Sequence, residues 1–174
     1  MNNTIVLCGF MGCGKTTIGK LVAEKLGYHF IDMDEFITSK QGKTVNQIFD
    51  DYGEDYFRKL ELNAATELSH LSNTVIATGG GAVMNIKVVE TFHKENIKII
   101  FIDTPFYVIM QRIKNDNTRP LLLKSNSDSF KRLYEYRYNY YVNRSDIVIS
   151  SSENQPCDLA NIIVDKVWGD RFTK

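Results

Sequence analysis

The sequence predicts an α/β fold, one domain with a five-stranded parallel sheet flanked by helices. Three observations lead there. Apolar and β-branched runs alternate with helical-period segments along the whole chain, and such alternation joins parallel strands through right-handed crossovers. The first apolar run ends in a glycine-rich turn, G-F-M-G-C-G-K-T at Gly9–Thr16, that opens directly into an amphipathic segment. Finally, 174 residues with 43% apolar and 24% charged side chains have the size and balance of a single globular core.

The elements follow in order. Strands are expected at Thr4–Cys8, His29–Asp32, Val75–Thr78, Ile97–Asp103 and Asp146–Ser150. Several are continuous apolar runs, as strands covered on both faces require. The helix Lys15–Leu26 carries Ile18, Leu21, Val22 and Leu26 on one face. Further helices are expected at Asp34–Lys40, Val45–Tyr52, Asp55–Leu71, Ile86–Glu95, Pro105–Lys114 and Ser129–Asn143, with a last one from Pro156 to about Trp168. The long polar stretch Asn115–Asp128 contains Arg119-Pro120 and fits neither a strand nor a helix. Between two helices near a ligand site it reads as a mobile lid; elsewhere it would be a plain surface loop.

Composition excludes several classes. Lys plus Arg equals Asp plus Glu, 21 each, so no net field draws the chain to nucleic acid or an anionic membrane. Tyr134, Tyr136, Tyr138, Tyr140 and Tyr141 interleave with Arg132, Arg137 and Arg144, a pattern also found on RNA-stacking surfaces. Helical spacing already assigns several of these tyrosines to a core. No apolar run approaches a membrane span, and no basic region precedes a signal-peptide core. Cys8, Cys13 and Cys157 form no metal-ligand or disulfide spacing. The expectation is a cytoplasmic protein.

The glycine-rich turn carries the chemistry. G-x-x-x-x-G-K-[ST] between a strand and a helix is a P-loop, whose backbone N–H groups ring a polyphosphate while the helix adds its positive end. Lys15 reaches the β- and γ-phosphates, and the Thr16 hydroxyl serves Mg²⁺. A simple glycine turn would not need the adjacent Lys and hydroxyl.

The second strand ends in Ile31-Asp32-Met33-Asp34. Strand alternation would put both carboxylates on one side at the carboxyl edge, where open α/β sheets bind ligands. One can hold Mg²⁺ and the other can take a proton from a substrate hydroxyl. A structural reading makes Asp34 the N-cap of the next helix. The third strand ends in Thr78-Gly79-Gly80-Gly81. Three glycines weaken a strand exit but admit close backbone approach to a ligand.

Two arginines stand out. In the segment Asp55–Leu71 the apolar stripe is Phe57, Leu60, Ala64 and Leu68, with Glu61 inside it and Arg58 at its margin. Glu61 lies three residues on from Arg58, within reach of it. In Ser129–Asn143 the stripe is Phe130, Leu133, Tyr134 and Tyr141, and Arg137 falls in its middle with no carboxylate in register. A guanidinium facing a core needs a partner. For Arg137 that is either a salt bridge from another element or an anionic substrate held bidentately.

Taken together the chain resembles the shikimate kinase family over nearly its whole length. The resemblance rests on G-F-M-G-C-G-K-T-T-I-G-K at Gly9–Lys20, F-I-D-M-D at Phe30–Asp34 and I-F-x-x-x-G-E-x-x-F-R-x-x-E from Ile48 to Glu61. It continues in T-G-G-G-A at Thr78–Ala82, R-P-L-L at Arg119–Leu122 and the segment from Arg137 to Tyr141. The resemblance implies a three-layer P-loop kinase fold with strand order 2-3-1-4-5. It makes residues 1–174 one domain, with substrate-binding helices about 33–61 and a lid about 115–128. It implies phosphorylation of the 3-hydroxyl of shikimate by ATP, with Mg²⁺, in the chorismate pathway to aromatic amino acids. The enzyme is expected to be a monomer with no nucleic-acid or membrane partner.

The resemblance also implies roles. Gly12, Cys13, Gly14, Lys15, Thr16 and Thr17 hold ATP, with Thr16 on the metal and Asp32 in its outer shell. Asp34 binds the shikimate hydroxyls and serves as, or positions, the catalytic base. Arg58 and Arg137 clamp the carboxylate, Glu61 orients Arg58 or touches substrate, and Gly79, Gly80 and Gly81 lie against the substrate. Arg119 comes from the lid onto the phosphates, and Arg112 stacks on adenine. Two departures are mild. Cys13 stands where the family often has Ser, Thr or Ala, and Ser151–Pro156 lacks the Arg that many members place near adenine. A gluconate kinase would not be expected to show both F-I-D-M-D and F-R-x-x-E, and a nucleotide kinase would need a base-recognition pocket. A non-catalytic relative would tend to lose the base or the lid arginine, and here both remain.

Overall fold

Strands β1 (Ile5–Cys8), β2 (His29–Asp32), β3 (Thr74–Ala77), β4 (Lys98–Asp103) and β5 (Ile147–Ser150) form one parallel sheet. The geometry is that of a computed structural model describing residues 3–114, 127–152 and 154–172. The sheet order is β2-β3-β1-β4-β5, as expected. Val6 sits opposite Ile76 on one side and Ile99 on the other, so β1 is the central strand. All four β1 residues and all four β3 residues are buried, whereas the edge strands β2 and β5 are partly exposed. The apolar runs read from the sequence are therefore the covered strands.

Alternation along β1 sorts the core into two layers. Val6 and Cys8 face a cluster with Ile76, Ile99, Phe101, Phe57 and Tyr141. Ile5 and Leu7 face a second cluster with Ile18, Val22, Leu159, Ile163 and Trp168. Helices α1 (Lys15–Leu26) and α8 (Pro156–Phe172) cover that second face. Helices α2 (Met33–Gln41), α3 (Val45–Tyr52), α4 (Glu54–Leu68), α5 (Ile86–Lys94), α6 (Phe106–Lys114) and α7 (Ser127–Arg144) lie on the first.

Boundaries shift where caps decide them. The α4 helix starts just after Gly53 and ends at Leu68, short of the expected Leu71. Asp146 leaves β5 because its carboxylate accepts from Ile99 N at 2.7 Å, tying the strand entrance to β4. Residues 127 and 128, expected as the end of the lid, form the first turn of α7. The rest of the expected lid, including Arg119, lies outside the described residues.

Candidate active site

The P-loop leaves β1 at the carboxyl edge of the sheet and enters α1 through Gly14, whose φ of 103° is left-handed backbone that favours glycine. Lys15, only 9% exposed, folds back into the loop. Its ammonium donates to the carbonyls of Gly9 at 2.9 Å and Phe10 at 3.1 Å, and meets Cys13 Sγ at 3.6 Å. The loop is braced from β4 and α6: Thr104 Oγ1 donates to the Cys13 carbonyl at 3.2 Å and Arg112 Nη1 to the same oxygen at 2.9 Å. Cys13 is fully buried, and its carbonyl serves as the anchor. Cys8 lies beneath, where burial pushes its thiol well above the usual range.

The two aspartates reach the site by a different route from strand alternation. Strand β2 stops at Asp32, which is the N-cap of α2; its Oδ1 accepts from Asp34 N at 3.0 Å and from Glu35 N at 3.4 Å. Asp34 therefore belongs to the first turn of a helix, and the capping role weighed for it falls to Asp32. Both still line one cleft. The other Asp32 oxygen accepts from Thr16 Oγ1 at 3.0 Å, joining β2 to the P-loop.

The glycine run makes room for the side chains opposite it. A Cβ on Gly79 would stand 2.6 Å from Asp34 Oδ1, and one on Gly81 would overlap the Arg58 guanidinium. Neither glycine has positive φ, so space and not backbone conformation requires them. Gly80 abuts the P-loop: its Cβ position lies 3.6 Å from Met11 N and 3.5 Å from Arg137 Nη1. One short segment thus touches the phosphate loop, Asp34 and both arginines.

Arg58 and Arg137 are held differently. Arg58 donates to Glu61 at 2.6 Å and to Glu54 at 2.6 Å, as the spacing along one helix face allows. Burial works against its charge, and the two carboxylates outweigh it, so its pKa rises. Glu61 is 1% exposed, and its second oxygen has no hydrogen-bond partner among the described residues. Burial pushes its carboxyl up to about 7 despite the attraction of Arg58; Asp34 nearby adds to the rise. Arg137 has no carboxylate at ion-pair distance among the described residues. It stands beside the glycine run, its Nη1 3.5 Å from the Cβ position of Gly80, and its charge, like that of Arg58, opposes the upward push of burial on Glu61.

The cleft has a volume of about 530 Å³. Of the expected residues, Gly12, Gly14, Lys15, Thr16, Thr17, Asp32, Asp34, Gly79, Gly80 and Arg112 line it, while Arg58, paired with Glu61, lies against Gly81 and Arg137 lies against Gly80. Met11, Ile113, Gln155, Pro156 and Leu159 also line the cleft and carried no sequence signal beyond proximity to the motifs. Ile113 of α6 and Pro156 and Leu159 of α8 give their end of the cleft an apolar wall. No group of three or more His, Cys, Asp or Glu among the described residues could hold a metal alone.

Known proteins are similar to this chain in sequence and in fold. A family model described as shikimate kinase matches residues 11–168. The shikimate kinase of Persephonella marina is 40% identical over 163 residues, covering 94% of this chain and 98% of that one. That of Caldicellulosiruptor bescii is 45% identical over 142 residues, covering 80% of this chain and 81% of that one. The shikimate kinase of Acinetobacter baumannii, solved in complex with shikimate, superposes with a TM-score of 0.88 at 33% identity, covering 99% and 97% of the two chains. An APS kinase from Mycobacterium tuberculosis, at 14% identity and a TM-score of 0.59, shares the fold alone. Through the matched model, these relatives and the cleft where the P-loop meets the glycine run, the chain belongs to the shikimate kinase family.

Proposed function

We propose how this family's reaction, transfer of the γ-phosphoryl of ATP to the 3-hydroxyl of shikimate on the way to chorismate and the aromatic amino acids, is divided among the residues of this chain. The observation that carries the proposal is the glycine run, which puts Asp34, Arg58 and Arg137 within one segment's reach of the P-loop. Shikimate is a small carboxylate with three hydroxyls. Two guanidiniums fit its carboxylate and one aspartate fits its hydroxyls.

The N–H groups of Gly12 to Thr17 cradle the triphosphate at the start of α1. Lys15 exchanges its carbonyl partners for phosphate oxygens. Thr16 and Asp32 are hard oxygen donors already 3.0 Å apart beside that cradle, a set that fits Mg²⁺ held jointly with phosphates. When bound, Mg²⁺ neutralises charge on the phosphate oxygens. Asp34 takes the proton of the 3-hydroxyl, and Arg58 and Arg137 fix the ring by its carboxylate so that the hydroxyl lies in line. Arg112 and Gln155–Pro156 border the adenine end. Arg119, outside the described residues, is assigned to the phosphates by the family resemblance, as is closure of the lid, which limits hydrolysis by excluding water. We take the chain as one monomeric cytoplasmic domain. No helix among the described residues is long and apolar enough to cross a membrane.

The test is ADP release from Mg-ATP with shikimate, quinate, gluconate or a panel of nucleoside monophosphates. Release that depends on shikimate alone supports the assignment. Release driven by another acceptor would keep the P-loop roles and overturn those of Arg58 and Arg137.

A further inference from the structure

The Cys13 carbonyl receives two donors that differ in kind, the Thr104 hydroxyl at 3.2 Å and Arg112 Nη1 at 2.9 Å. Arg112 is exposed on α6 and lines the cleft at the end assigned to adenine. Thr104 is 1% exposed, just past the end of β4. It is itself held from two sides. Its own carbonyl accepts from the Tyr134 hydroxyl of α7 at 3.1 Å, and the carbonyl before it, that of Asp103, accepts from Ser151 N at 2.8 Å.

The Thr104 hydroxyl also meets that of Ser151, 2% exposed at the exit of β5, at 2.5 Å. A hydroxyl has one proton to give. The Cys13 oxygen can only accept, so both buried protons find an acceptor when Ser151 donates to Thr104 and Thr104 donates to Cys13. A β-branched side chain has few rotamers open to it, so this donor is fixed before any nucleotide arrives. A trans peptide is planar, with its C=O and N–H pointing opposite ways. As Thr104 draws the Cys13 carbonyl toward itself, the Gly14 N–H of the same unit is turned away from Thr104. Gly14 lines the cleft, and its left-handed backbone favours glycine.

We infer that Thr104 is a positioning residue for the phosphate cradle: with Ser151 behind it, its hydroxyl pins the Cys13 carbonyl and so aims the Gly14 N–H at the phosphates of the nucleotide. When Arg112 turns to the adenine, Thr104 keeps the unit in place. The inference rests on the assignment of the P-loop N–H groups to the triphosphate made above. Sequence patterning leaves Thr104 between a strand and a helix with no role, since Cys13 lies 91 positions earlier.

The test uses the whole protein. It reads the dissociation constants of ADP and shikimate, the KM of ATP, and the amide NMR resonance of Gly14 with and without ADP. A hydrogen bond to phosphate moves an amide proton downfield. Thr104→Val keeps the shape and removes the hydroxyl, Thr104→Ser keeps the hydroxyl, and Ser151→Ala disturbs the same buried spot but leaves the brace. Thr104→Val is expected to weaken ADP binding and raise the KM of ATP about fivefold, the size of one neutral hydrogen bond. It should also shrink the downfield shift that ADP gives the Gly14 amide. Thr104→Ser and Ser151→Ala are expected to keep that shift and to stay within about twofold in ADP affinity, and all three variants within about twofold in shikimate affinity. Because Thr104→Val strands the Ser151 hydroxyl, Thr104→Val/Ser151→Ala repeats the test with both buried partners apolar. An unchanged Gly14 shift in these two variants would overturn the inference and leave Arg112 as a sufficient brace. So would a loss in Ser151→Ala equal to that in Thr104→Val, or equal losses for ADP and shikimate, either of which makes Thr104 a structural residue. If ADP bound the unaltered protein without moving the Gly14 amide, the assignment of the P-loop N–H groups would itself fall, and the inference with it.

Discussion

The hydroxyl of Thr16 donates to Asp32 Oδ2 at 3.0 Å, joining the P-loop to the end of β2 by a single bond. The other oxygen of the same carboxylate caps α2, the helix that carries Asp34. Asp32 thus links the phosphate cradle to the residue assigned as base, and it can be probed with little harm to the fold. Asn caps helices about as well as Asp, so Asp32→Asn is expected to leave the melting temperature within a few degrees. It should raise the Mg²⁺ concentration for half-maximal rate and lower kcat at least about tenfold. A Mg²⁺ titration of initial rates, run beside a thermal melt, checks both parts.

Asp34 stands in the first turn of α2, with the backbone of Gly79 pressed against its carboxylate. Asp34→Asn keeps the shape and removes the proton acceptor. Turnover is expected to fall about 10²- to 10⁴-fold, the range of a positioned general base. ATP binding, measured by titration calorimetry, is expected to change less than about threefold. Comparable losses in both quantities would remove Asp34 from the role of base.

Gly79→Ala tests why the run is glycine. The backbone there has ordinary φ, so an added methyl is not strained by conformation. Its Cβ would stand 2.6 Å from Asp34 Oδ1, so the carboxylate or the segment has to shift. The expected result is a loss of at least about tenfold in kcat/KM for shikimate, since small displacements of a catalytic group are costly. ATP affinity is expected to remain near that of the unaltered protein. Equal losses for both substrates would mean that the change had spread to the P-loop.

These sites differ in how far the sequence disclosed them. The P-loop was legible because its glycines, Lys15 and Thr16 are set by one local geometry, while the bracing of the loop by Thr104 and Arg112 was not, since those residues lie far along the chain. The sheet was legible because β1, β3 and β4 are buried on both faces and so read as unbroken apolar runs. Asp32 and Asp34 were found by a periodicity that does not apply to them: β2 ends at Asp32, and helix capping, not strand alternation, turns Asp34 toward the cleft. The pairing of Arg58 with Glu61 followed from helical spacing. The role of Gly79 and Gly81 as space for Asp34 and Arg58 did not, since it depends on two segments distant in the chain. The bond from the Tyr141 hydroxyl to the Gly80 carbonyl was hidden for the same reason, because only packing brings the two together.

Glu61 gives the apo protein a pH dependence that ordinary surface carboxylates would not. Burial raises its carboxyl from 4.5 to about 7 in the folded chain. Between those values the native state binds a proton that the unfolded chain has released, so stability falls as pH rises. The contribution is fully present below about 4.5, is lost as pH rises through about 7, and amounts to a few kcal/mol at most. Glu61→Gln is uncharged throughout, so its stability curve is expected to lack that decline. It should approach or exceed the unaltered protein above about pH 7 and gain nothing at pH 5. The same variant loses the 2.6 Å carboxylate anchor of Arg58 and keeps only the exposed Glu54. Shikimate affinity is therefore expected to drop severalfold at neutral pH, even where the fold becomes more stable. Urea unfolding at half-unit steps from pH 5 to 8, with shikimate titrations at each end, separates the two effects. A Glu61→Gln curve parallel to that of the unaltered protein would place the titration elsewhere.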